Sequence, residues 1–331
     1  MAGKREAYFD NARFILIVFV VFGHIIQPFY EENTMLYSLY TTIYLFHMAG
    51  FILISGYFAK GFRRPGYLTK IAKKTLPTFI IFQIIYTVVQ VSANNYMGED
   101  TTVDLNFVLA PRFTLWFLLS LFCWNVLLFL FAKFRWWTVL VAFAVGISIS
   151  FIDVNTFLSI TRTFVFFPFF LLGFYLQPGF FKQLRRTGWR ILSVCILAIL
   201  FIVFCFYTPE NNSDWLLGAY SYEYMGVEDL YGSLIRLVQY ILMLLAVFSA
   251  LSLMPNKHFR FTILGTRTLY IYLLHGIVIQ AFRNFIPEEV YNSLSSHLIL
   301  VILLTLIIVY ILGSRLVQKY TKPIVEIGMR K

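Results

Sequence analysis

Three of the five histidines lie inside long apolar segments, where an ionisable side chain is costly unless it has a function. They are His24, His47 and His275. A neutral imidazole can remove a proton from a hydroxyl group, or attack a carbonyl carbon as a nucleophile. The alternative is structural, because a histidine between two helices also stabilises their packing through a hydrogen bond. His258 and His297 lie at the ends of apolar segments, where no special role is predicted.

The depths of the three histidines predict that they meet. At about 1.5 Å per residue, His24 lies about 18 Å from the cytoplasmic end of its helix, and His47 and His275 lie about 13 and about 16 Å from that side. In a hydrocarbon core about 30 Å thick, all three are near the middle of the membrane. His24 is therefore the first catalytic candidate, and His47 and His275 are candidates to orient it or the substrate.

Arg13 precedes His24 by eleven residues, an interval that places both side chains on one face of an α-helix. They project within about 20° of each other but are about 16 Å apart along the axis, so they cannot touch in a regular helix. Arg13 is predicted either to form a basic entrance to the site of His24, or to anchor the helix at the cytoplasmic surface.

Six basic residues and no acidic residue occur between positions 60 and 74. Arginine and lysine side chains neutralise phosphates. The residues predicted to bind an anionic cytosolic cofactor in this way are Arg63, Arg64, Lys73 and Lys74. The competing interpretation is that the cluster orients the chain in the membrane and contacts anionic lipid. Ser55, next to Gly56, is a further candidate contact, because small residues let a backbone or a slim ligand approach closely.

The composition of the chain requires a membrane around it. Of its 331 residues, 60% are hydrophobic and 13% are charged, against about 45–50% and about 25% in soluble domains. A soluble fold of this size cannot bury so much apolar surface, so soluble enzymes and disordered binding proteins are excluded. The sequence predicts an all-α, polytopic integral membrane protein. Its three cysteines lie in apolar segments without metal-binding spacing, and no metal is expected.

Apolar stretches of about 20 residues predict about ten transmembrane helices. They form a single transmembrane domain, and no fused soluble domain is expected. The predicted spans are residues 12–29, 36–58, 75–92, 114–132, 136–152, 162–178, 190–207, 230–254, 264–282 and 298–317.

The basic residues predict the orientation of these spans. If both termini are cytoplasmic, all but four of the 27 Lys and Arg residues lie on the cytoplasmic side, as the positive-inside rule requires. The net charge of +11 then needs no nucleic-acid partner. The four outer arginines are Arg112, Arg162, Arg236 and Arg283. The first three are candidates to bind an anionic or polyol acceptor, although an interfacial arginine also extends its charge into water without any substrate.

Six motifs occur in order along the chain. They are the R-x10-H pattern of Arg13 and His24, residues 46–58 with His47 and Ser55-Gly56-Tyr57, Thr75-Leu76-Pro77, Leu115-Trp116-Phe117-Leu118, Pro168 to Gly173, and Leu269 to His275. Together they resemble the acyltransferase-3 family of membrane O-acyltransferases, especially its fucose 4-O-acetylase-like branch. The resemblance covers residues 5–315, nearly the whole chain.

The resemblance implies a ten-helix enzyme that takes an acyl group, usually acetyl, from cytosolic acyl-CoA. The acceptor is a hydroxyl of a cell-surface or lipid-linked sugar, and the setting is the lipid of a bacterial plasma membrane. The resemblance makes Arg13 and His24 essential and acetyl-CoA the donor substrate, and Trp116 is a candidate contact for the acceptor. Family members often carry R-x-x-R after the second helix, whereas this sequence has Lys60-Gly61-Phe62-Arg63. Which basic residues meet the CoA phosphates therefore stays open.

The competing function is a transporter or flippase of a glycolipid or polysaccharide. Ten helices, deep histidines and outer arginines would suit it as well. The sequence shows no inverted repeat, which transporters often have, and its basic cluster suits a soluble phosphorylated donor. Both observations favour the acyltransferase. A non-catalytic scaffold would leave the deep histidines unexplained.

Overall fold

The computed structural model describes residues 6–31, 33–98, 109–132, 136–154, 156–207, 212–285 and 297–329. Within these ranges the chain forms helices and no strand, which confirms the all-α prediction. The longer helices are α1 (Ala7–Ile26), α2 (Thr34–Phe58), α3 (Tyr67–Met97), α4 (Trp116–Phe131), α5 (Trp137–Ser148), α6 (Ile160–Tyr175), α8 (Thr187–Phe206), α10 (Asp229–Leu253), α12 (Thr268–Phe285), α13 (Leu298–Leu312) and α14 (Arg315–Val325). Between them lie the short helices α7 (Pro178–Leu184), α9 (Asn212–Leu217) and α11 (Thr262–Gly265).

Six of the described helices are long and apolar enough to cross a membrane, namely α1, α2, α3, α6, α8 and α10. The bent pair α13 and α14 is a seventh if it counts as one span, and α4 and α5 are apolar but shorter. The chain is therefore a multi-pass membrane protein. Each predicted span overlaps at least one helix, although the bounds differ, while the number ten and the cytoplasmic termini stay predictions. Lys4, Arg5, Lys133, Arg135, Arg330 and Lys331, on which the orientation partly depends, lie outside the described residues.

The third helix begins earlier than the sequence predicted. The apolar stretch suggested a start at residue 75, but α3 begins at Tyr67, so Lys70, Lys73 and Lys74 are helical rather than part of a loop. Lysine has a good helix propensity, and Gly66 in the left-handed conformation (φ 74°) ends the preceding turn. The basic cluster is thus half loop and half helix.

The last predicted span also differs from the structure. The chain does not continue straight to residue 317, because α13 ends at Leu312 and α14 follows at an angle of 63°. Gly313 and Ser314 separate the two helices, and the Ser314 hydroxyl caps α14 by accepting a hydrogen bond from the N–H of Val317 at 3.2 Å. The guanidinium of Arg267 donates to the carbonyl of Gly313 at 2.9 Å and fixes the bend.

Helix α2 lies at the centre of the bundle and packs against α1, α6, α8 and α10. Two glycines allow the closest approach, that between α2 and α6. A Cβ on Gly56 would lie 1.9 Å from the carbonyl oxygen of Phe170, and a Cβ on Gly173 would lie 1.9 Å from that of Leu53. Small residues at a helix crossing are typical of membrane bundles, where van der Waals contact drives association. Gly56, next to Ser55, therefore admits the backbone of α6.

Candidate active site

Helices α1 and α12 place two of the histidines next to each other. The ring centroids of His24 and His275 are 5.6 Å apart, and the ring planes are inclined by 39°. His275 is fully buried and His24 is partly buried. The two residues are more than 250 positions apart in sequence, yet their predicted depths were close, and the fold brings this pair together.

His47 joins this pair through Tyr44, one helical turn earlier on α2. The Tyr44 ring centroid is 4.5 Å from that of His47 and 6.4 Å from that of His24. Gly23 makes this contact possible, since a Cβ at that position would lie 2.8 Å from the Tyr44 ring. The three histidines and one buried tyrosine thus form a cluster, which we call the histidine cluster. Among the described residues, no group of three or more His, Cys, Asp or Glu side chains could hold a metal ion.

Hydrogen bonds fix the ring nitrogens of two of these histidines. The Nδ1 of His47 is 2.9 Å from the carbonyl oxygen of Ile43, and the Nδ1 of His275 is 2.9 Å from that of Ile271. A carbonyl oxygen only accepts, so Nδ1 carries the proton and Nε2 presents a lone pair in the neutral ring. The Nε2 of His275 and the Nδ1 of His24 are buried without a hydrogen-bond partner. Neither atom is therefore engaged in a hydrogen bond with another part of the described chain.

A strained residue closes the cluster on one side. Phe113 has φ 50°, a left-handed conformation that costs energy for a bulky residue and tends to occur at functional sites. Its ring centroid lies 4.7 Å from that of His24 and 6.0 Å from that of His275. Gly276 accommodates the ring, because a Cβ there would lie 2.4 Å from Phe113. Phe113 therefore shields the histidine pair from its surroundings.

Two cavities meet beside the histidine cluster. The smaller, of about 40 Å³, is lined by His24, Tyr44 and His47 among others, and we call it the histidine cavity. The larger, of about 290 Å³, is lined by residues of α1, α2, α3, α4 and α12, including Arg13, and we call it the arginine cavity. Both are lined by Val20, Met48 and Tyr272. A ligand bound in the arginine cavity would therefore need to pass only these shared side chains to reach His24.

Three of the predicted site residues line the arginine cavity: Arg13, Ser55 and Lys74. The Nη1 of Arg13 is 3.3 Å from a carboxylate oxygen of Asp10, and its guanidinium lies 4.7 Å from the centre of the Phe58 ring. These two contacts hold the arginine at the edge of the cavity. The hydroxyl of Ser55 donates to the carbonyl of Phe51 in its own helix at 2.8 Å. Arg13 and His24 thus line two different, adjoining cavities.

The other predicted cofactor ligands lie beside the arginine cavity rather than in its wall. Arg63 and Arg64 are exposed in the turn that precedes α3, and the guanidinium of Arg63 lies 5.4 Å from the Phe62 ring. Lys73 is exposed on α3, one position before Lys74. Their side chains are available to a ligand that extends out of the cavity.

The predicted acceptor residues separate into two groups. Trp116 lines the histidine cavity, and the guanidinium of Arg162 lies 5.3 Å from the centre of the Trp116 ring.

Arg236 is fully buried and lines neither cavity. It donates to the carbonyl of Trp215 at 2.9 Å and to the side chain of Gln239 at 2.6 Å, so it supports the short helix α9. The backbone N–H of Arg112 donates to Gln83 at 2.9 Å, which positions the chain just before Phe113.

Sequence reasoning missed three residues of the site: Tyr44, Phe113 and Arg283. Tyr44 precedes His47 by three positions, a spacing that puts both on one helix face and could have identified it. Arg283 was assigned only to the outer side, but it donates to the carbonyl of His24 at 2.6 Å and to the side chain of Gln27 at 3.1 Å. No local pattern marks Phe113, since its role depends on a loop conformation.

Comparison with known proteins identifies the family. The acyltransferase-3 model, described as an acyltransferase domain, matches residues 6–314. The chain belongs to the acyltransferase-3 family. Membership confirms the assignment made from the six motifs, and the match includes the histidine cluster, both cavities and the basic cluster.

The family relatives include two proteins named nodulation protein NolL. The one from Sinorhizobium fredii is 28% identical over 217 residues, which are 59% of this chain and 58% of the relative. The one from Mesorhizobium japonicum is 27% identical over 214 residues, or 61% of this chain and 56% of the relative. The chain thus spans less than two thirds of the relatives that it matches. No solved structure matches the chain significantly.

Proposed function

We propose that this acyltransferase-3 protein is a membrane O-acyltransferase that moves an acyl group, with acetyl as the expected group, from cytosolic acyl-CoA to a sugar hydroxyl. The observation that carries the proposal is the junction of the arginine cavity with the histidine cavity across Val20, Met48 and Tyr272. A basic cavity that opens onto a cluster of buried histidines suits a phosphorylated donor whose reactive end must reach a base. An acyl-CoA thioester has that form.

The donor would bind with its phosphates towards the basic residues and its acyl end towards His24. Arg13 and Lys74 in the cavity wall supply positive charge, and Arg63, Arg64 and Lys73 extend that charge outside it. The rest of the wall is mostly apolar, including Phe51 and Leu118, and suits the uncharged arm of the donor. The cavity is therefore polarised in the way that such a molecule requires.

The reaction in this proposal uses His24 as the base. A ring nitrogen of His24 takes the proton of the acceptor hydroxyl, the hydroxyl oxygen attacks the thioester carbonyl, and the carbon–sulfur bond breaks. The CoA thiolate then leaves and takes the proton back from the imidazolium. In the covalent alternative, His24 attacks first, CoA leaves as the thiol, and the acceptor displaces the acyl group from the imidazole. His275 would help to orient His24, because the centroids of the two rings are 5.6 Å apart.

The acceptor would approach from the opposite side of the histidine cavity. Trp116 and Arg162 lie there, as do Leu216 and Leu217 of the segment that Arg236 supports. An aromatic ring can stack on a sugar face, and a guanidinium can donate to several hydroxyls or to an acid group. We therefore assign the acceptor to this side, with Arg236 holding the segment in place.

The sidedness of the reaction depends on the predicted orientation of the chain in a bacterial plasma membrane. Reporter fusions after Lys74 and Arg260 are expected to be cytoplasmic, and a fusion near Asn212 is expected to be outside. An inversion at Lys74 would place the basic residues on the wrong side for cytosolic acyl-CoA. An inversion at either of the other two positions would break the ten-helix count and the depth argument for the histidines.

The experiment that tests the function uses purified protein in lipid vesicles and acetyl-CoA labelled in the acetyl group. We expect labelled acetate or an acetyl ester to form only with the protein, and hydroxylamine to release the label from the ester. Denaturation after a brief reaction without acceptor would retain label on the chain if the covalent route operates. A protein that neither hydrolyses nor transfers the acetyl group, yet moves labelled glycolipid between leaflets, would be a flippase.

A further inference from the structure

Helix α14 presents an apolar stripe that no other part of the described chain covers. Leu316, Tyr320 and Ile324 recur every four residues and are 66%, 70% and 43% exposed. At 100° per residue these three side chains occupy one sector of the helix about 80° wide. Large apolar side chains at this spacing on a surface helix indicate a binding face.

The remaining surface of α14 divides into a basic face and a face that packs on the protein. Arg315, Lys319 and Lys322 are exposed and lie together on the side away from the core. Val325, on the packed side, is fully buried. A helix with separate apolar, basic and packed faces is suited to lie along a membrane surface while it remains attached to its domain.

The apolar stripe continues a surface that already faces lipid. On α13, the exposed side chains Ile307, Tyr310 and Ile311 run towards the 63° bend at Gly313. Helix α14 cannot extend this span through the hydrocarbon, because its lysines would be carried into the core. The bend instead turns the helix into the plane of the interface, with the stripe towards the acyl chains and the basic face at the headgroups.

We propose that α14 is an interfacial helix that binds the anionic lipid surface beside the arginine cavity and thereby braces one wall of that cavity. The partner of this exposed surface is the bilayer itself. The apolar stripe would be buried among the acyl chains, and the three basic residues complement acidic headgroups. The same surface would not suit a soluble acidic protein, which offers no acyl chains for Leu316 and Tyr320.

The end of α14 makes direct contact with the wall of the arginine cavity. The carbonyl of Val325 accepts a hydrogen bond from the hydroxyl of Thr78 at 3.4 Å, and Thr78 lines the cavity. The carboxylate of Glu326 accepts a hydrogen bond from the hydroxyl of Tyr270 on α12. Gly328 packs so closely on α3 that a Cβ there would overlap the carbonyl of Lys73. Docking of α14 on the bilayer would therefore hold α3 against α12, the two helices that close this side of the cavity.

The first test measures where α14 lies and requires no activity. In a variant with Cys123, Cys195 and Cys205 replaced, single cysteines at positions 316, 320, 319 and 322 are spin-labelled in vesicles of phosphatidylcholine with phosphatidylglycerol. We expect oxygen, which partitions into acyl chains, to reach labels at 316 and 320, and a water-soluble nickel chelate to reach those at 319 and 322. Equal access of the chelate to all four, or of oxygen to all four, would overturn the proposal.

The second test measures the effect on the cavity and rests on the proposed function for its ligand. The triple variant R315Q/K319Q/K322Q is compared with K182Q/R186Q/R190Q, which removes three exposed charges predicted to face the same side. A basic residue near an acidic surface contributes about fivefold to the attraction. In phosphatidylglycerol vesicles we expect the α14 variant to bind acetyl-CoA about fivefold or more weakly, and the control variant to change less than about twofold.

The outcomes separate the two proposals. Equal acetyl-CoA affinities in the two triple variants would overturn the bracing role, because charge would then act without regard to position. If wild-type protein binds no acetyl-CoA in any lipid while the spin labels show the expected alternation, the proposed donor fails and the interfacial placement of α14 stands.

Discussion

The buried pair α1 and α2 and the exposed helix α8 show opposite relations between hydropathy and burial. The most apolar 18-residue segment of α1 has a mean hydropathy of 1.8 and that of α2 has 1.5, and 67% and 72% of their residues are buried. The corresponding segment of α8 has a mean hydropathy of 2.6, but only 17% of its residues are buried. The most apolar of the three is therefore the least buried. In a membrane the apolar solvent is outside, so polar side chains collect within the bundle.

This comparison explains where the site had to be. Helices α1 and α2 carry Arg13, His24, Tyr44, His47 and Ser55, and all of these face other helices or the cavities between them. Helix α8 instead presents Ile191, Val194 and Ile199 outwards, each more than half exposed. In this bundle the chemically useful residues lie on helices whose apolar character is diluted by small and polar residues.

The largest effect is expected at His24, the base in the proposed reaction. Replacement by alanine removes the ring that takes the proton, so transfer should fall by about 10²–10⁴-fold while acetyl-CoA still binds. The measurement is transfer from labelled acetyl-CoA in vesicles, with donor affinity determined separately by calorimetry. His258→Ala is the matched control, because that histidine is exposed and lies outside both cavities. Transfer by His24→Ala within a few-fold of wild type would move the catalytic role to His47 or His275.

A smaller effect is expected at the basic residues, and here position in the structure matters. Each charged hydrogen bond contributes about 1.5–3 kcal/mol, so Arg13→Ala and Lys74→Ala should each raise the donor KM about tenfold or more. Arg63→Ala, Arg64→Ala and Lys73→Ala should change it less, because those side chains lie outside the cavity wall. Arg13→Lys, which keeps the charge but loses the planar contact with Phe58, should be intermediate. The reverse ranking would locate the phosphates outside the cavity.

The sequence predicted the positions of the helices well because lipid imposes one strong pattern, the apolar stretch. Depth followed from helical rise alone, which is why His24 and His275 could be predicted to meet. The bend at Gly313 was not predicted, because the predicted span ran on through Gly313 and Ser314 to residue 317. The contacts of Arg267 and Ser314 reveal it only in the folded structure.

Residues recruited by loops or from distant helices could not be predicted in the same way. Phe113 reaches the histidine pair because its backbone is left-handed, and Arg283 because its guanidinium crosses to the carbonyl of His24. Arg236 shows the converse, since an arginine in an apolar segment suggested a substrate contact but supports Trp215. Hydropathy indicates that such a charge has a partner inside the bundle, and only the fold shows which.

A third effect tests the packing of α2 itself. Gly56→Ala places a Cβ 1.9 Å from the carbonyl oxygen of Phe170 in an unrelaxed structure. The two helices must then separate, which is expected to cost about 1–3 kcal/mol of the free energy of unfolding. Gly188→Ala on α8 is the control, because nothing lies within 4 Å of a Cβ there. Denaturation of the detergent-solubilised variants measures both, and equal stabilities would contradict the close crossing of α2 and α6.

The smallest effect is expected on the lipid side of α8. Ile199 is 59% exposed and Ile52 of α2 is fully buried, so the same substitution removes the same atoms from two environments. Ile52→Ala should leave a cavity and cost about 2–5 kcal/mol, because protein neighbours relax only partly into the space. Ile199→Ala should change the free energy of unfolding by less than about 0.5 kcal/mol and leave transfer unaltered, because mobile lipid or detergent fills the space. Unfolding by detergent titration measures both. If Ile199→Ala lowered the free energy of unfolding nearly as much as Ile52→Ala, another protein surface would have to cover α8. Helix α8 would then be exposed only in the isolated chain and not in the membrane.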